Sequence, residues 1–394
     1  MASIHLLAMQ LLDTAWFFGK CYIIGKVCKL VLYGISHTML LQSAFGKPRE
    51  ASEMARAVDL ILAKPGLAKM KSRSTFMCEG YIHHWTNPIQ SSLAPLLEGY
   101  QAGLRTGDTE SAAFNRELFV CGPLLFETPP LTNLYSVCFR AGHLYYSGRP
   151  LGGLLNEIKT SITVMTQLKQ DQARVFMMPS LASVKKLRGD TSIDEKEMDL
   201  VGITKFAMET GNQLLLAQTY VNRLELNVFF QEWEAAASLL FEAGDIRKIL
   251  PELTAVCRFT FFEALISIHA AQVTPATWLK RRKWKRRAVK AMKFIRGWIK
   301  KGNVNLVHSL HLLEAELAAL DGKREKAENS YKAAITVASR NGFIQDRALA
   351  HELTSAYFSK KGDEYWKDYH MEQCLECYLN WGATTKVEVL RNNL

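Results

Sequence analysis

The chain has 394 residues, 48% of them hydrophobic and 22% charged, which is ample for a core and ordinary for a soluble protein. Eleven prolines and 24 glycines leave no room for a long low-complexity linker, so the length suits two or three domains or one continuous helical array. The net charge of +11 is local: twelve Lys/Arg residues and no acid lie between Lys280 and Lys301, and the other 37 basic residues nearly balance 38 acidic ones. A globally basic protein is excluded.

Residues 1–12 are apolar but have no basic residue before them, and Asp13 ends the run. Residues 16–41 are also apolar, with Lys20, Lys26 and Lys29 interrupting. A membrane span needs roughly 20 mostly uncharged residues, and no window here supplies them. A buried helical hairpin is the first expectation, and a membrane anchor or targeting segment the alternative. Helical stretches follow at 88–105, 109–126, 133–146, 151–169, 214–230, 233–243, 245–271 and 275–301, without convincing strand alternation. Residues 179–199 are the least regular, and their charges around Gly189 suggest an exposed loop or hairpin tip.

The C-terminal region carries the clearest signal. Leu310, Leu313, Leu317 and Leu320 are spaced 3, 4 and 3; after Gly322 the period restarts at Ala327, Tyr331, Ala334, Ile335 and Ala338. After Gly342 a third stripe runs through Leu349, Leu353, Ala356 and Tyr357 before Gly362. Gly-Asp pairs at Gly107-Asp108, Gly189-Asp190, Gly244-Asp245 and Gly362-Asp363 fall between apolar stripes. Glycine ends one helix in the left-handed conformation and Asp caps the next. The sequence therefore predicts an all-α array of antiparallel helical hairpins.

Chemistry-bearing motifs are weak. Gly-Lys occurs at Gly19, Gly25, Gly46 and Gly322 but is never followed by Ser or Thr, so no phosphate-cradling loop is formed. The dinucleotide fingerprint, kinase catalytic loop, Asp-Phe-Gly triplet and Gly-x-Ser-x-Gly elbow are missing. An independent catalytic domain, a cofactor and a metal site are not expected. His370, Cys374 and Cys377 share a helical face, but a structural zinc site needs four ligands. His308 and His311 lack a companion carboxylate motif, and adjacent His83-His84 are expected to pack or to lie on the surface. The eight cysteines are scattered through mostly apolar stretches, which fits free thiols in a reducing intracellular compartment.

The basic run has its own periodicity. Lys280, Arg281, Arg282, Lys283, Lys285, Arg286, Arg287 and Lys290 surround Trp284, while Ala288, Met292, Ile295 and Ile299 mark an apolar face spaced 4, 3 and 4. This is a basic amphipathic helix. Its charges are read as a solvated outer face, with contact to an acidic protein or nucleic acid next, and a membrane-surface or nuclear-import role last.

Ala327, Tyr331 and Ala334 give the small–aromatic–small spacing that resembles tetratricopeptide repeats. More specifically, residues 312–353 and 378–390 resemble the helical region of large multidomain signalling ATPases, as do HHWTNPIQSSLAPLLEGYQAGLRTGDTESAAF at 83–114 and FTFFEALISIHAA at 259–271. In that family a protein-kinase-like domain and an AAA-type ATPase precede the region, and GAF, histidine-kinase or cyclase domains often follow. This chain lacks the ATPase and kinase parts, so their activity is not implied, and its basic block is denser than the pattern.

The resemblance implies a tetratricopeptide-like α-solenoid: divergent hairpins at 1–82, repeats at 83–178, the irregular 179–199, and further repeats at 200–394 including the basic helix 275–301. Trp85, Gly107, Asp108, Ala327, Tyr331, Ala334, Trp381 and Gly382 are its structural positions. The implied function is a non-enzymatic cytoplasmic scaffold or regulatory module in signal transduction. Other proteins, among them a separate ATPase or kinase chain, would bind its concave face. Nucleic acid is the lesser partner, the nucleus the lesser location, and a regulatory fragment of a larger ATPase the remaining alternative.

Overall fold

The computed structural model describes residues 47–63, 68–106, 140–167, 169, 171–190, 199–249, 254–273 and 278–393. Every regular element among them is helical. The expectations for 1–46 and 109–126, for the first half of 133–146, and for Gly107-Asp108 fall outside these residues. The chain divides into two units, one of residues up to Arg140 with Lys301–Val304, the other of Ala141–Lys300 with Asn305–Leu394.

The first unit contains α1 (Pro48–Leu62), α2 (Ala68–Tyr81) and α3 (Leu93–Thr106). Proline at the first position of α1 has no amide to leave unsatisfied, and Ala51, Ala55 and Val58 then bury one face at helical spacing. That face packs on α2 around Met70, Cys78 and Ile82. Two 3-10 turns, His83–Trp85 and Ile89–Ser92, link α2 to α3, so the expected helix from 88 begins as a 3-10 turn instead. Thr86 Oγ1 donates to Ser52 Oγ at 2.8 Å and pins the first turn to α1.

The second unit holds the helical residues 141–146 and the helices α4 (Leu151–Gln167), α5 (Asp171–Arg188), α6 (Leu200–Glu209), α7 (Gln213–Phe229), α8 (Trp233–Ala243) and α9 (Thr254–Val273). After these come α10 (Trp278–Lys300), α11 (Val307–Leu320), α12 (Arg324–Arg340), α13 (Ile344–Ser359), α14 (Glu364–Trp381) and α15 (Thr384–Asn392). Neighbours in sequence pair: α4 with α5, α6 with α7, α9 with α10, α11 with α12, α13 with α14. A second set of contacts joins alternate helices. Here α5 packs on α7, α7 on α9, α9 on α11 and α11 on α13, and α15 packs on both α14 and α5.

This two-level packing explains the burial pattern. Helices of the alternate row are covered on several sides, so Phe259, Phe261, Phe262, Leu265 and Ile266 of α9 are all buried although they point in different directions. Residues Thr254–Gln272 of α9 are long and apolar enough to cross a membrane, and 83% of that stretch is buried inside the protein. Paired helices outside the row are one-faced. In α12 the predicted positions Ala327, Tyr331, Ala334 and Ala338 are buried, and Ile335 is half-buried. In α11 the most buried face includes His308, Leu312, Ala315 and Glu316, so the expected leucine stripe is only part of what is covered.

Turn chemistry follows the glycines. Gly189, Gly244 and Gly362 have positive φ, and Asp363 accepts a hydrogen bond from the Trp366 amide at 3.2 Å to cap α14. Gly322, Gly342, Gly362 and Gly382 repeat one geometry at 20-residue intervals. At each, the residue after glycine bonds back to the carbonyl five residues earlier, as in Lys323 to Ala318 at 2.9 Å and Ala383 to Tyr378 at 2.9 Å.

Two local expectations fail. Residues 179–188 are not an irregular tip: they continue α5, with Pro179 inside the helix. Proline cannot bond the preceding turn, but Met177, Met178, Leu181, Val184 and Leu187 are buried. Ser183 Oγ and the Asn222 amide of α7 both reach the Pro179 carbonyl, at 2.8 and 3.4 Å. Packing outweighs the lost bond. The stretch 245–271 is not one helix either: a 3-10 turn at Ile246–Lys248 precedes α9.

Candidate interaction surface

Two charged assemblies stand out in the second unit, one buried and one exposed. The buried one is built on Arg258 of α9. Its Nη2 donates to Glu225 Oε1 of α7 at 2.5 Å, and its Nη1 to both carboxylate oxygens of Asp346 of α13 at 2.8 Å. His308 Nε2 of α11 lies 2.8 Å from Asp346 Oδ2, with its ring stacked on Phe343. The guanidinium also sits 4.8 Å from the Phe262 ring centroid. Burial favours the neutral form of each acid, yet Arg258 and His308 outweigh it at Asp346 and hold that carboxyl at about 2. At Glu225 burial prevails over Arg258, and the carboxyl is raised.

A second centre lies further along α13. Glu352 accepts hydrogen bonds from Lys386 Nζ of α15 at 2.6 Å, Tyr378 of α14 at 2.9 Å and Gln231 at 2.5 Å. Both partners of the lysine pair are at most 2% exposed. Around it Trp381 and Tyr378 pack on Phe229 of α7. Polar and aromatic side chains thus tie α7, α9, α11, α13, α14 and α15 to one another.

The exposed assembly is α10. Ala288, Met292 and Ile295 are buried as the spacing predicts, and Ile299 is half-buried. Not every cation is solvated. Arg287 Nε donates to Glu263 Oε1 at 2.9 Å, and Arg247 Nη1 donates to the other oxygen at 2.5 Å. Lys285 pairs with Asp321, Arg296 with Glu314 at 3.0 Å, and Arg281 reaches the Leu320 carbonyl. By contrast Lys283, Arg286, Lys290 and Lys293 are exposed and reach no acid among the described residues. They are spaced 3, 4 and 3, which places them on one stripe about 15 Å long.

Apolar side chains interleave with that stripe. Leu279 is 64% exposed and Phe241 of α8 60%, with Val289 and Phe294 exposed to lesser degrees. Phe241 meets Trp284 edge-on at 5.3 Å, and the Arg287 guanidinium lies over the Phe241 ring. Beside them, Asp245, Arg247, Glu263, Arg287 and Lys290 line a shallow depression in which cations outnumber acids.

The predicted basic block therefore separates by role. Lys280, Arg286, Lys283 and Lys290 face outward, whereas Lys285 and Arg287 are half-buried and hold the helix to its neighbours. Trp85, Ala327, Tyr331, Ala334 and Trp381 are buried, and Gly382 takes the left-handed conformation that ends α14. His370 turns to His351, 2.9 Å between Nδ1 atoms, rather than to the buried Cys374 and Cys377. Sequence reasoning missed Arg258, Glu225, Asp346, Glu352 and Lys386, whose partners are 26 to 121 residues apart along the chain. No family model matches the chain, and neither does any curated protein.

Proposed function

We propose that the protein is a non-enzymatic helical-repeat interaction module that holds an acidic partner protein on the outer face of α10. The carrying observation is the stripe of Lys283, Arg286, Lys290 and Lys293, exposed and without acids to neutralise it. Clustered cations attract polyanions of any kind. The interleaved Leu279, Phe241, Val289 and Phe294 favour protein over nucleic acid, because a protein interface needs an apolar centre and a phosphate backbone does not. The resemblance to regulatory regions of signalling ATPases makes a separate ATPase or kinase chain in the cytoplasm the leading partner class.

On this reading the helices are antiparallel hairpins of an α-solenoid. The pairing of sequence neighbours and the repeated glycine turns support it. The glycine spacing gives hairpins of 40 residues, longer than the roughly 34 of a tetratricopeptide repeat. The partner docks outside, because the side chains of the alternate row are already engaged with each other.

The test is binding of a helical peptide with glutamates spaced 3, 4 and 3, alongside duplex DNA of equal charge, across a salt series. The unaltered protein should prefer the peptide at about 0.15 M salt, with affinity falling as salt rises. Reversing Lys283, Arg286, Lys290 and Lys293 to Glu should abolish binding and leave helicity intact, since none of the four is a structural partner. A preference for DNA would transfer the stripe to nucleic acid, and unchanged peptide binding in the reversed variant would sink the proposal.

A further inference from the structure

The first unit carries a cluster that the interaction reading does not use. Asp59 near the end of α1, Cys78 near the end of α2 and His83 in the following 3-10 turn bring a carboxylate oxygen, a thiol sulfur and a ring nitrogen within 4.8 Å of one another. Asp59 Oδ2 and His83 Nε2 are 3.0 Å apart. We propose that these three side chains bind a divalent transition-metal ion of zinc type, with the fourth position open to water or an external ligand.

The residue types suit the ion. Thiolate, imidazole and carboxylate are the three side-chain donors that zinc accepts, and three protein ligands are the set that leaves one position open. Thiolate and carboxylate together carry two negative charges, which one divalent cation neutralises. The geometry suits it as well. Ligand atoms about 2.0–2.3 Å from a tetrahedral ion lie roughly 3.3–3.6 Å from each other, so Asp59 and His83 need move only a few tenths of an ångström.

Asp59 Oδ2 lies 3.0 Å from His83 Nε2, while Nδ1 lies 3.4 Å from the Asn87 amide, so the two ring nitrogens have separate neighbours.

The surroundings hold the three donors in place. Cys78 is fully buried between α1 and α2 and His83 is 4% exposed, while the Asp59 side chain is 46% exposed and opens a path from solvent. The turn carrying His83 is tied to α1 by the Thr86–Ser52 hydrogen bond and to itself by the Asn87 amide donating to the His83 carbonyl at 2.8 Å. Neither tie uses a ligating side chain, so the site is positioned by the fold and not only by the ion.

Cobalt(II) is the probe, because thiolate ligation gives a charge-transfer absorption that carboxylate and imidazole do not. Full-length protein, chelator-treated and kept reduced, should develop that band at one equivalent of cobalt and lose it on adding zinc. Cys78→Ser should remove the band, and His83→Gln and Asp59→Asn should each weaken cobalt binding at least about tenfold. The double variant Cys374→Ser, Cys377→Ser should keep it. Circular dichroism establishes that each variant is folded, and His83→Gln and Asp59→Asn carry the test if Cys78→Ser is not. The proposal is overturned if the folded wild type shows no band, or if the band survives Cys78→Ser or depends on Cys374 and Cys377.

Discussion

Arg258 occupies the setting in which a charge is hardest to accommodate, 6% exposed among Phe261, Phe262 and Tyr146. It is tolerated because three carboxylate oxygens meet it with hydrogen-bond geometry. Removing one member of such a group leaves the others buried and unpaired, which costs about 3–5 kcal/mol. Arg296, 44% exposed beside Glu314, gains little from its pair, since surface bridges are worth about 0–1 kcal/mol. Urea unfolding should therefore place Arg258→Ala several kcal/mol below the wild type and Arg296→Ala within about 1 kcal/mol of it. A loss under about 1 kcal/mol for Arg258→Ala would show that the network does not hold the row together. Asp346 adds a pH dependence of its own to the same network. Its folded pKa of about 2 lies below the ordinary 3.8, so its contribution is present above pH 3.8 and disappears as pH falls toward 2.

Glycine does opposite things at two kinds of position. Gly322 ends α11 at φ +71 with no neighbour near its missing Cβ, so replacing it tests the backbone alone. An alanine there should cost about 1–2 kcal/mol through the left-handed conformation. Gly153 lies inside α4, again with open space around it, and alanine there should stabilise by about 0.5 kcal/mol through lower chain entropy. Thermal melts of the two variants should shift in opposite directions; a parallel shift would mean that α11 does not end in this turn. Signals as local as these are why Trp233–Ala243 could be read from sequence with its bounds intact. The course of α5 through Pro179 could not, because what sustains it is the burial of Met177, Met178, Leu181, Val184 and Leu187 against other helices. Arg258 was hidden for the same reason, as its partner Asp346 is 88 residues away. In α10 the apolar face was legible, but which cations are neutralised depends on Asp321, Glu263 and Glu314 of neighbouring helices.

At the scale of the second unit, α15 decides whether the alternate row behaves as an open series or as a closed one. It packs on α14 and α5, its Lys386 enters the interior to pair with Glu352 of α13, and Thr384 Oγ1 donates to the Arg188 carbonyl at 2.6 Å. In an open helical array each repeat touches only its neighbours, so damage at one end frays that end first. Here α15 also touches α5, which begins the row, so losing its anchor should be felt at both ends together. Lys386→Ala leaves Glu352 buried with only Tyr378 and Gln231 as donors, a loss of about 3–5 kcal/mol by the reasoning applied to buried ion pairs. Amide hydrogen exchange on this variant should show protection falling in α5 and α4 as well as in α13, α14 and α15. Loss confined to α14 and α15 would mean the row is open. On the proposed function, a closed row would place the partner on the outside. If α5 responds, a docking site between the row helices would require breaking the Arg258 and Glu352 centres, whereas the proposed stripe on α10 needs no such rearrangement to bind.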